Sequence, residues 1–308
     1  MSDPGYFTFN SFLRKHFKMR VQKITLDAGL TCPHRDINKK GGCIYCNEYG
    51  AGTGASIRGL NIKEQIETQM EAMTRRYKAK AFIAYFQSYS NTYAPTERLK
   101  DIYDTILGYP QIVGLSIGTR PDCIDEQKLS LIESYADKRL TWIEYGLQSA
   151  SDETLKRINR GHDVQTFVDA VRLTSHYNIR ICAHIIIGLP GEGLPQYLDT
   201  ARLVAELPIT DIKIHLMYVV KETTLADMYY KGQYRPLGLD EYAAAVTQVL
   251  VHLPPDMVVQ RITGDPHPHE LIAPKWALEK TAVRNSIHKF MERNNLRQGV
   301  LFQRDETL

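Results

Sequence analysis

Short apolar runs alternate with amphipathic stretches along most of the chain. The run AFIAYF at 81–86 is apolar throughout, which is typical of a strand buried on both faces. In the segment 63–78, Ile66, Met70 and Met73 fall on one stripe of a helix. Six such runs separated by helical segments predict parallel strands joined by crossover helices. The predicted strands span 21–29, 81–86, 112–118, 140–147, 179–190 and 211–220.

This alternation predicts an α/β fold. Six β/α units indicate an incomplete (β/α)6 barrel of the TIM type, with parallel strands. After about residue 235 the pattern changes to a helix, a short strand and a basic amphipathic helix. We therefore expect a core over 21–235, preceded by a basic N-terminal segment over 1–20. A C-terminal α/β extension over 236–308 should pack on the barrel.

Composition excludes several classes of protein. The 308 residues are 43% hydrophobic, but no apolar run approaches the roughly 20 residues that a bilayer requires, so we expect no membrane partner. The N-terminal sequence lacks the apolar region of a secretory signal. Five cysteines are few and odd in number for a disulfide scaffold, which favours a reducing, cytoplasmic location and a role as metal ligands.

Basic residues are concentrated at the two ends of the chain, although the net charge is only +3. The segment after residue 274 is basic, and so is 1–25. Such segments are either solvated faces or contacts to an anionic partner such as a phosphate backbone. The basic residues of the first segment are Arg14, Lys15, Lys18, Arg20 and Lys23.

Three of the cysteines lie in TCPHRDINKKGGCIYCNEYG, residues 31–50. Cys32, Cys43 and Cys46 have the spacing C-x10-C-x2-C. Structural zinc and ferredoxin-type clusters take four ligands, and His34 is too close to Cys32 to be a good fourth one. The triplet follows the first strand, and active sites of β/α barrels lie at the carboxyl ends of strands. This favours a [4Fe-4S] cluster with one open iron, with zinc and unrelated thiols as alternatives.

Further motifs follow the triplet in a recognisable order. Together with CPH…GGCIYC, they resemble radical S-adenosylmethionine (radical SAM) enzymes, in the branch related to the catalytic subunit of Elongator, which modifies the wobble uridine of tRNA. The resemblance implies a cluster whose open iron binds SAM, and reductive cleavage of SAM to a 5′-deoxyadenosyl radical that takes hydrogen from a substrate. These motifs are TRPD (119–122), EYGLQSASDETLKRINRGH (144–162), AHIIIGLPGE (183–192) and KIHLMYVVKETTLADMY (213–229).

The resemblance also implies which residues contact SAM. Gln148 and Arg160 match motif positions that contact SAM in the related porphyrin-oxidase branch, and an arginine can bind the methionine carboxylate bidentately. Tyr45, between the last two cysteines, is where the family places an aromatic residue near adenine. Thr119 and Arg120, at a strand end, are further candidates for the cofactor site.

Two departures from the family pattern affect these positions. The Gly-Gly-Glu element that meets the methionine amine is absent after the second strand. Relatives also often carry a glutamate where this chain has Gly118, and Glu144 is our candidate to compensate. The possible substitutes for the missing element, within YFQSYSNTY, are Gln87, Ser88 and Asn91.

Strand alternation indicates which side chains face the barrel interior. In 211–220 the polar face carries Lys213 and His215, and the same argument directs His184 inward. Cys123 follows TRPD at a strand end. These four residues are the candidates for catalytic roles, although a core position remains the alternative for His184 and a plain buried thiol for Cys123.

The Elongator resemblance favours a tRNA substrate, modified on the C5 side chain of the wobble uridine. The chain leaves no room for the acetyltransferase domain of Elongator, so we expect remodelling of a side chain that another enzyme installs. Conversion of carboxymethylaminomethyl to aminomethyl is one example. The electron donor would be a flavodoxin or ferredoxin. The alternatives are a radical enzyme acting on a small molecule such as a tetrapyrrole, and a non-catalytic iron–sulfur or zinc-binding module.

Overall fold

The computed structural model describes residues 4–35, 41–47, 50 and 54–303. The outer ends of the predicted N-terminal segment and C-terminal extension, residues 1–3 and 304–308, lie outside this part. The strands are β1 (Val21–Leu26), β2 (Ala81–Phe86), β3 (Ile112–Thr119), β4 (Leu140–Gln148), β5 (Arg180–Ile187), β6 (Asp211–Leu216), β7 (Val219–Val220), β8 (Val258–Arg261) and β9 (Leu271–Ala273).

Most helices begin where the sequence provides a capping side chain. Asn61 and Glu64 form a capping box, and Ser151, Asp163 and Thr223 each accept a backbone hydrogen bond at a helix start. None of the described helices is long and apolar enough to cross a bilayer. The helices are α1 (Phe9–Phe17), α2 (Ile62–Tyr77), α3 (Thr96–Asp104), α4 (Glu126–Glu133), α5 (Asp152–Arg157), α6 (Val164–Thr174), α7 (Leu194–Glu206), α8 (Thr224–Tyr230), α9 (Leu239–His252) and α10 (Lys280–Arg293).

The main sheet contains seven parallel strands in the order β1-β2-β3-β4-β5-β6-β8. This confirms the predicted incomplete barrel, and each of the six predicted strands is present. The seventh strand, β8, comes from the predicted extension and pairs with β6. Across the open side, the Lys23 ammonium of β1 donates a hydrogen bond of 2.7 Å to Gln260 of β8. Side chains therefore bridge the two edges of the sheet.

The predicted strand 211–220 is interrupted: it forms β6 and then β7, which pairs antiparallel with β9. Between β4 and β5 the chain forms two helices, α5 and α6, rather than one. Between them, Asn159 and Gly161 have φ of 52° and 77°, in the left-handed region that ends a helix. The loop between these helices carries Arg160 toward the barrel.

Helix α1 closes the amino-terminal mouth of the barrel. Phe9 and Phe12 make edge-on contacts with Trp142, at ring-centroid distances of 5.7 and 6.3 Å, and Leu13 is buried beside them. The partners of this cluster lie at the starts of β1 to β4. The basic residues of α1 therefore lie at the end of the barrel opposite the carboxyl ends of the strands.

Candidate functional site

The carboxyl ends of the strands surround a cavity of about 770 Å³, its open mouth included. This volume lies in the range typical of small-ligand sites. The thiols of Cys32, Cys43 and Cys46 line one wall, in the loop that follows β1. The structure therefore places all three predicted ligands in one cavity.

Neighbouring segments fix the cysteine loop in place. The backbone N–H of Ile44 donates to Ile158 O at 3.0 Å, and Leu225 N–H donates to Ile44 O at 2.9 Å. The Asn159 side chain donates to Gly42 O at 2.7 Å. The break between α5 and α6 and the start of α8 thus hold the loop from two sides.

The buried Arg160 guanidinium is the main positive charge beside the thiols. Its Nη1 lies 3.6 Å from Cys43 Sγ, and its Nη2 donates to Gly146 O at 2.8 Å. A hydrogen bond from Cys46 and the charge of Arg160 hold the pKa of Cys43 well below its usual range, against the effect of burial. The same Cys43–Cys46 bond and burial raise the pKa of Cys46 well above its usual range. Burial also raises the pKa of Cys32, so Arg160 stabilises thiolate charge mainly on Cys43.

The donor set at the thiols fits a cluster with an open iron better than a structural zinc site. In the described part of the chain, the His, Cys, Asp and Glu side chains whose ligand atoms all lie within 4.8 Å of one another are Glu144, Cys182 and His184, so no described histidine or carboxylate completes such a group with the three thiols. A structural zinc site takes four protein ligands. A [4Fe-4S] cluster takes each thiolate on a different iron, and three thiolates leave one iron open.

Gln148 and Arg160, which the family resemblance assigns to SAM binding, have their side chains next to each other beside Gly146. A Cβ on Gly146 would lie 2.5 Å from both Arg160 Nη2 and Gln148 Nε2, so only glycine leaves room for both side chains. Gln148 has a φ of 76°, a strained conformation for a residue with a side chain. Both residues line the cavity, as does Tyr45. Gln148, Arg160 and Tyr45 are thus positioned to hold SAM when it is bound.

Arg120 lies in the wall, but its donors are already used. It forms a bidentate pair with Asp122 at 2.7 and 2.8 Å, lies 2.9 Å from His34 Nδ1, and donates to the carbonyl of Arg160. His34 Nε2 lies 3.7 Å from Cys43 Sγ. The TRPD motif thus braces His34 and the Arg160 loop against the cysteine loop.

The remaining residues predicted for cofactor binding or catalysis lie at different positions around the cavity. Gln87 and Thr119 line the cavity. Ser88 and Asn91 are buried, and neither Ser88 Oγ nor Asn91 Oδ1 has a hydrogen-bond partner within the described ranges. Cys123 is buried outside the cavity lining, and burial and Asp122 raise its pKa to about 12. Its thiol therefore stays protonated.

A second polar group lies deeper, at mid-strand level. We call Tyr85, Glu144, His184 and His215 the floor, because these side chains line the cavity from β2, β4, β5 and β6. Glu144 is fully buried and accepts hydrogen bonds from His184 Nε2 at 2.7 Å and from Lys213. The structure thus brings together His184, His215, Lys213 and Glu144, four of the predicted site residues.

Glu144 is also paired with Lys23 at 2.8 Å and accepts a bond from Ser116. Burial would raise the pKa of Glu144, but Lys213 and Lys23 hold it well below its usual range. Burial lowers the pKa of Lys213 to about 7 and that of His184 to about 4. Since the ionised carboxylate is already held by its own cations, the Glu144–Cys182–His184 group is an ion-pair network rather than a metal site.

The sequence pattern missed three residues around the floor. Lys23 counted only as part of the basic N-terminal segment, whereas its side chain pairs with Glu144 inside the barrel. Tyr85 lies in a run that is apolar throughout, and Lys213 Nζ stands 3.9 Å from its ring centroid. Arg261 comes from β8, beside Lys213. A charged residue in the middle of a buried strand was the signal available for Lys23.

Comparisons with known proteins agree with this site. The family model described as the radical SAM superfamily matches residues 31–204, and the radical SAM C-terminal domain matches 209–293. The chain is 38% identical to protein YtqA of Bacillus subtilis, over 99% of this chain and 95% of that protein. It is 32% identical to protein YhcC of Escherichia coli, over 95% and 94%.

One further relative is named for an activity on tRNA, and another has a solved structure. A tRNA uridine(34) acetyltransferase of Methanocaldococcus infernus is 26% identical over 60% of this chain and 34% of its own. The archaeal Elp3 structure from the same organism has a TM-score of 0.70 at 16% identity, covering 90% of this chain and 64% of that one. The fold, the thiol triplet and the family match together confirm the expected [4Fe-4S] cluster and SAM as cofactors. The chain belongs to the radical SAM superfamily.

Proposed function

We propose that this radical SAM enzyme remodels the C5 side chain of the wobble uridine in tRNA. The observation that supports a tRNA substrate is the match of 55–60% of this chain to tRNA uridine(34) acetyltransferases. The two family models that account for 31–204 and 209–293 describe radical SAM domains. The reaction proposed is therefore radical chemistry on an existing side chain.

The specific conversion we propose is carboxymethylaminomethyl to aminomethyl. The bound cluster and SAM supply a 5′-deoxyadenosyl radical, which can take hydrogen from the methylene beside the carboxylate. Overall, water adds to that carbon, the carbon–nitrogen bond breaks, and glyoxylate leaves. Two electrons and one proton pass from the substrate to SAM, which becomes methionine and 5′-deoxyadenosine, and one proton is released. A flavodoxin or ferredoxin would start the cycle by reducing the cluster.

The residues of this chain have separate roles in this proposal. Cys32, Cys43 and Cys46 hold the cluster, and Arg160 balances thiolate charge while it and Gln148 orient SAM. The floor lies deeper in the barrel and is available to the substrate side chain. The pKa of Lys213 is lowered by burial to about 7, so this lysine can gain or lose a proton near neutral pH, whereas His184, with a pKa of about 4, stays neutral.

The test is conversion of defined tRNA by the reconstituted enzyme under anaerobic conditions. tRNA carrying carboxymethylaminomethyluridine is incubated with SAM and dithionite, and nucleosides are identified by mass spectrometry. We expect aminomethyluridine, glyoxylate and 5′-deoxyadenosine in equal amounts. Unchanged nucleosides together with SAM cleavage would reject the tRNA reaction, and conversion of a tetrapyrrole instead would support the small-molecule alternative.

A further inference from the structure

Positive charge exceeds negative charge around the floor of the cavity. Lys23 and Lys213 both pair with the single carboxylate of Glu144. Arg261 of β8 stands beside Lys213 in the register of the sheet. The register of β8 shifts by one residue at this point, so that Gln260, which donates to the buried Asp211, and Arg261, which is paired with the inward-pointing Lys213, both face the interior. Two lysines therefore share one carboxylate, and a third cation lies beside them without a carboxylate of its own in the described part of the chain.

Arg261 makes no hydrogen bond or ion pair with any side chain in the part of the chain that the structure describes. It is half-buried on the edge strand β8, behind the residues that line the cavity and next to Lys213. After the larger effect of burial, its charge contributes to the lowered pKa values of His215 and Lys213, which places it close to both. A guanidinium that is partly removed from water gains most from a bound anion.

The surroundings of His215 also indicate a ligand-binding position at the floor. Its ring lines the cavity, 5.1 Å from the ring of His184. Its Nε2 is buried without a hydrogen-bond partner in the described ranges. A buried nitrogen without a partner costs free energy, which a ligand that reaches it would recover. An uncommitted cation and an unpartnered nitrogen thus lie on one side of the floor.

We propose that Arg261, supported by Lys213 and His215, binds a carboxylate of the substrate. The inference rests on the proposed function, in which the side chain to be cleaved ends in a carboxylate. The planar guanidinium fork matches a carboxylate in two hydrogen bonds. The carboxylate of SAM has its own partner, Arg160, beside the thiols. Binding at the floor would hold the methylene of the side chain in the part of the cavity between the floor and the thiols.

The test measures binding of a small probe to the reconstituted enzyme. Sarcosine, N-methylglycine, reproduces the end of the side chain, and inorganic phosphate is the comparison anion. Binding is measured by calorimetry for the wild type, Arg261→Gln, Arg261→Lys and the control Arg98→Gln, which alters an exposed arginine of α3. We expect Arg261→Gln to weaken sarcosine binding about tenfold or more and Arg261→Lys to weaken it less, because lysine keeps the charge but loses the fork.

A second measurement needs no variant. Phenylglyoxal modifies accessible arginines, and peptide mapping reports modification of Arg261 in the wild-type enzyme. We expect sarcosine to protect Arg261 and to leave Arg98 unprotected. Failure of sarcosine to bind, equal binding by Arg261→Gln, or preferred binding of phosphate would each overturn the proposal.

These outcomes separate the carboxylate site from the proposed function. If sarcosine binding depends on Arg261 but the tRNA is not converted, the carboxylate site stands and the tRNA reaction fails. If Arg261→Gln converts the tRNA with unchanged KM and kcat, the tRNA reaction stands and the carboxylate site fails. A rise in KM for the tRNA with Arg261→Gln, matched by weaker sarcosine binding, supports both.

Discussion

Replacing Glu144 by glutamine removes the carboxylate that Lys23 and Lys213 share at the floor, while keeping the side-chain volume. The Lys23 Nζ–Oε1 distance is 2.8 Å, and Lys213 is hydrogen-bonded to Oε2. Breaking a buried pair by removing one partner typically costs about 3–5 kcal/mol, since the other charge is left without compensation. We expect a loss of this size in the free energy of unfolding at pH 6.

The loss should be smaller at higher pH. The folded pKa of Glu144 lies below its unfolded value of 4.5, so its contribution is fully present above that pH and is lost only as pH falls through the folded value. The folded pKa of Lys213 is about 7, so at pH 8 this lysine is mostly neutral and needs its counterion less. We therefore expect the loss at pH 8 to be about 1–2 kcal/mol smaller than at pH 6.

The assay is urea unfolding of the cluster-free protein at pH 6 and pH 8, kept anaerobic and reduced and followed by circular dichroism. The matched control is Glu71→Gln on the exposed face of α2, which should leave stability unchanged. The double variant Glu144→Gln with Lys213→Met should recover part of the loss, because the second buried charge is also removed. A loss below about 1 kcal/mol at pH 6 would refute the reasoning.

Three further changes test other parts of the molecule. Cys43→Ala should abolish both the visible absorbance of the reconstituted cluster and the cleavage of SAM. The control Cys123→Ala should keep the iron content of the wild type, since Cys123 lies outside the cavity lining. Equal iron content in the two variants would contradict the ligand assignment. Arg160→Gln removes the cation beside Cys43 Sγ and should lower the midpoint potential in an EPR-monitored titration; an unchanged potential would exclude this role. Leu13→Ala, in helix α1 at the amino-terminal mouth of the barrel, should lower the free energy of unfolding by about 2–4 kcal/mol. It should leave SAM cleavage intact at temperatures where the protein is folded.

The sequence predicted much of the fold because the signals are local. Apolar runs of strand length place the six strands of the barrel, and their spacing leaves room for crossover helices. Alternation within β5 and β6 directs His184, Lys213 and His215 to one face without knowledge of their neighbours. The location of the thiol triplet at the carboxyl ends of the strands follows from its position directly after β1. These features depend on the period of a strand and on short-range spacing.

Other features depend on which strands become neighbours, and these required the tertiary structure. Lys23 and Glu144 lie 121 residues apart and meet because both face the inside of one curved sheet. Arg261 comes beside Lys213 because β8, from the predicted extension, pairs with β6.

The sequence by itself determined the reaction class, because the thiol triplet and the ordered motifs that follow it resemble radical SAM enzymes, whose cluster has an open iron. It could not determine the floor of the cavity, because a residue's charge is visible in the sequence and its partner is not. The basic N-terminal stretch 1–25 is an example. Its Lys23 lies inside the barrel, whereas its helix α1 covers the amino-terminal mouth, opposite the carboxyl ends of the strands. Register and barrel closure bring distant charges together, and they arise only when the whole sheet has formed.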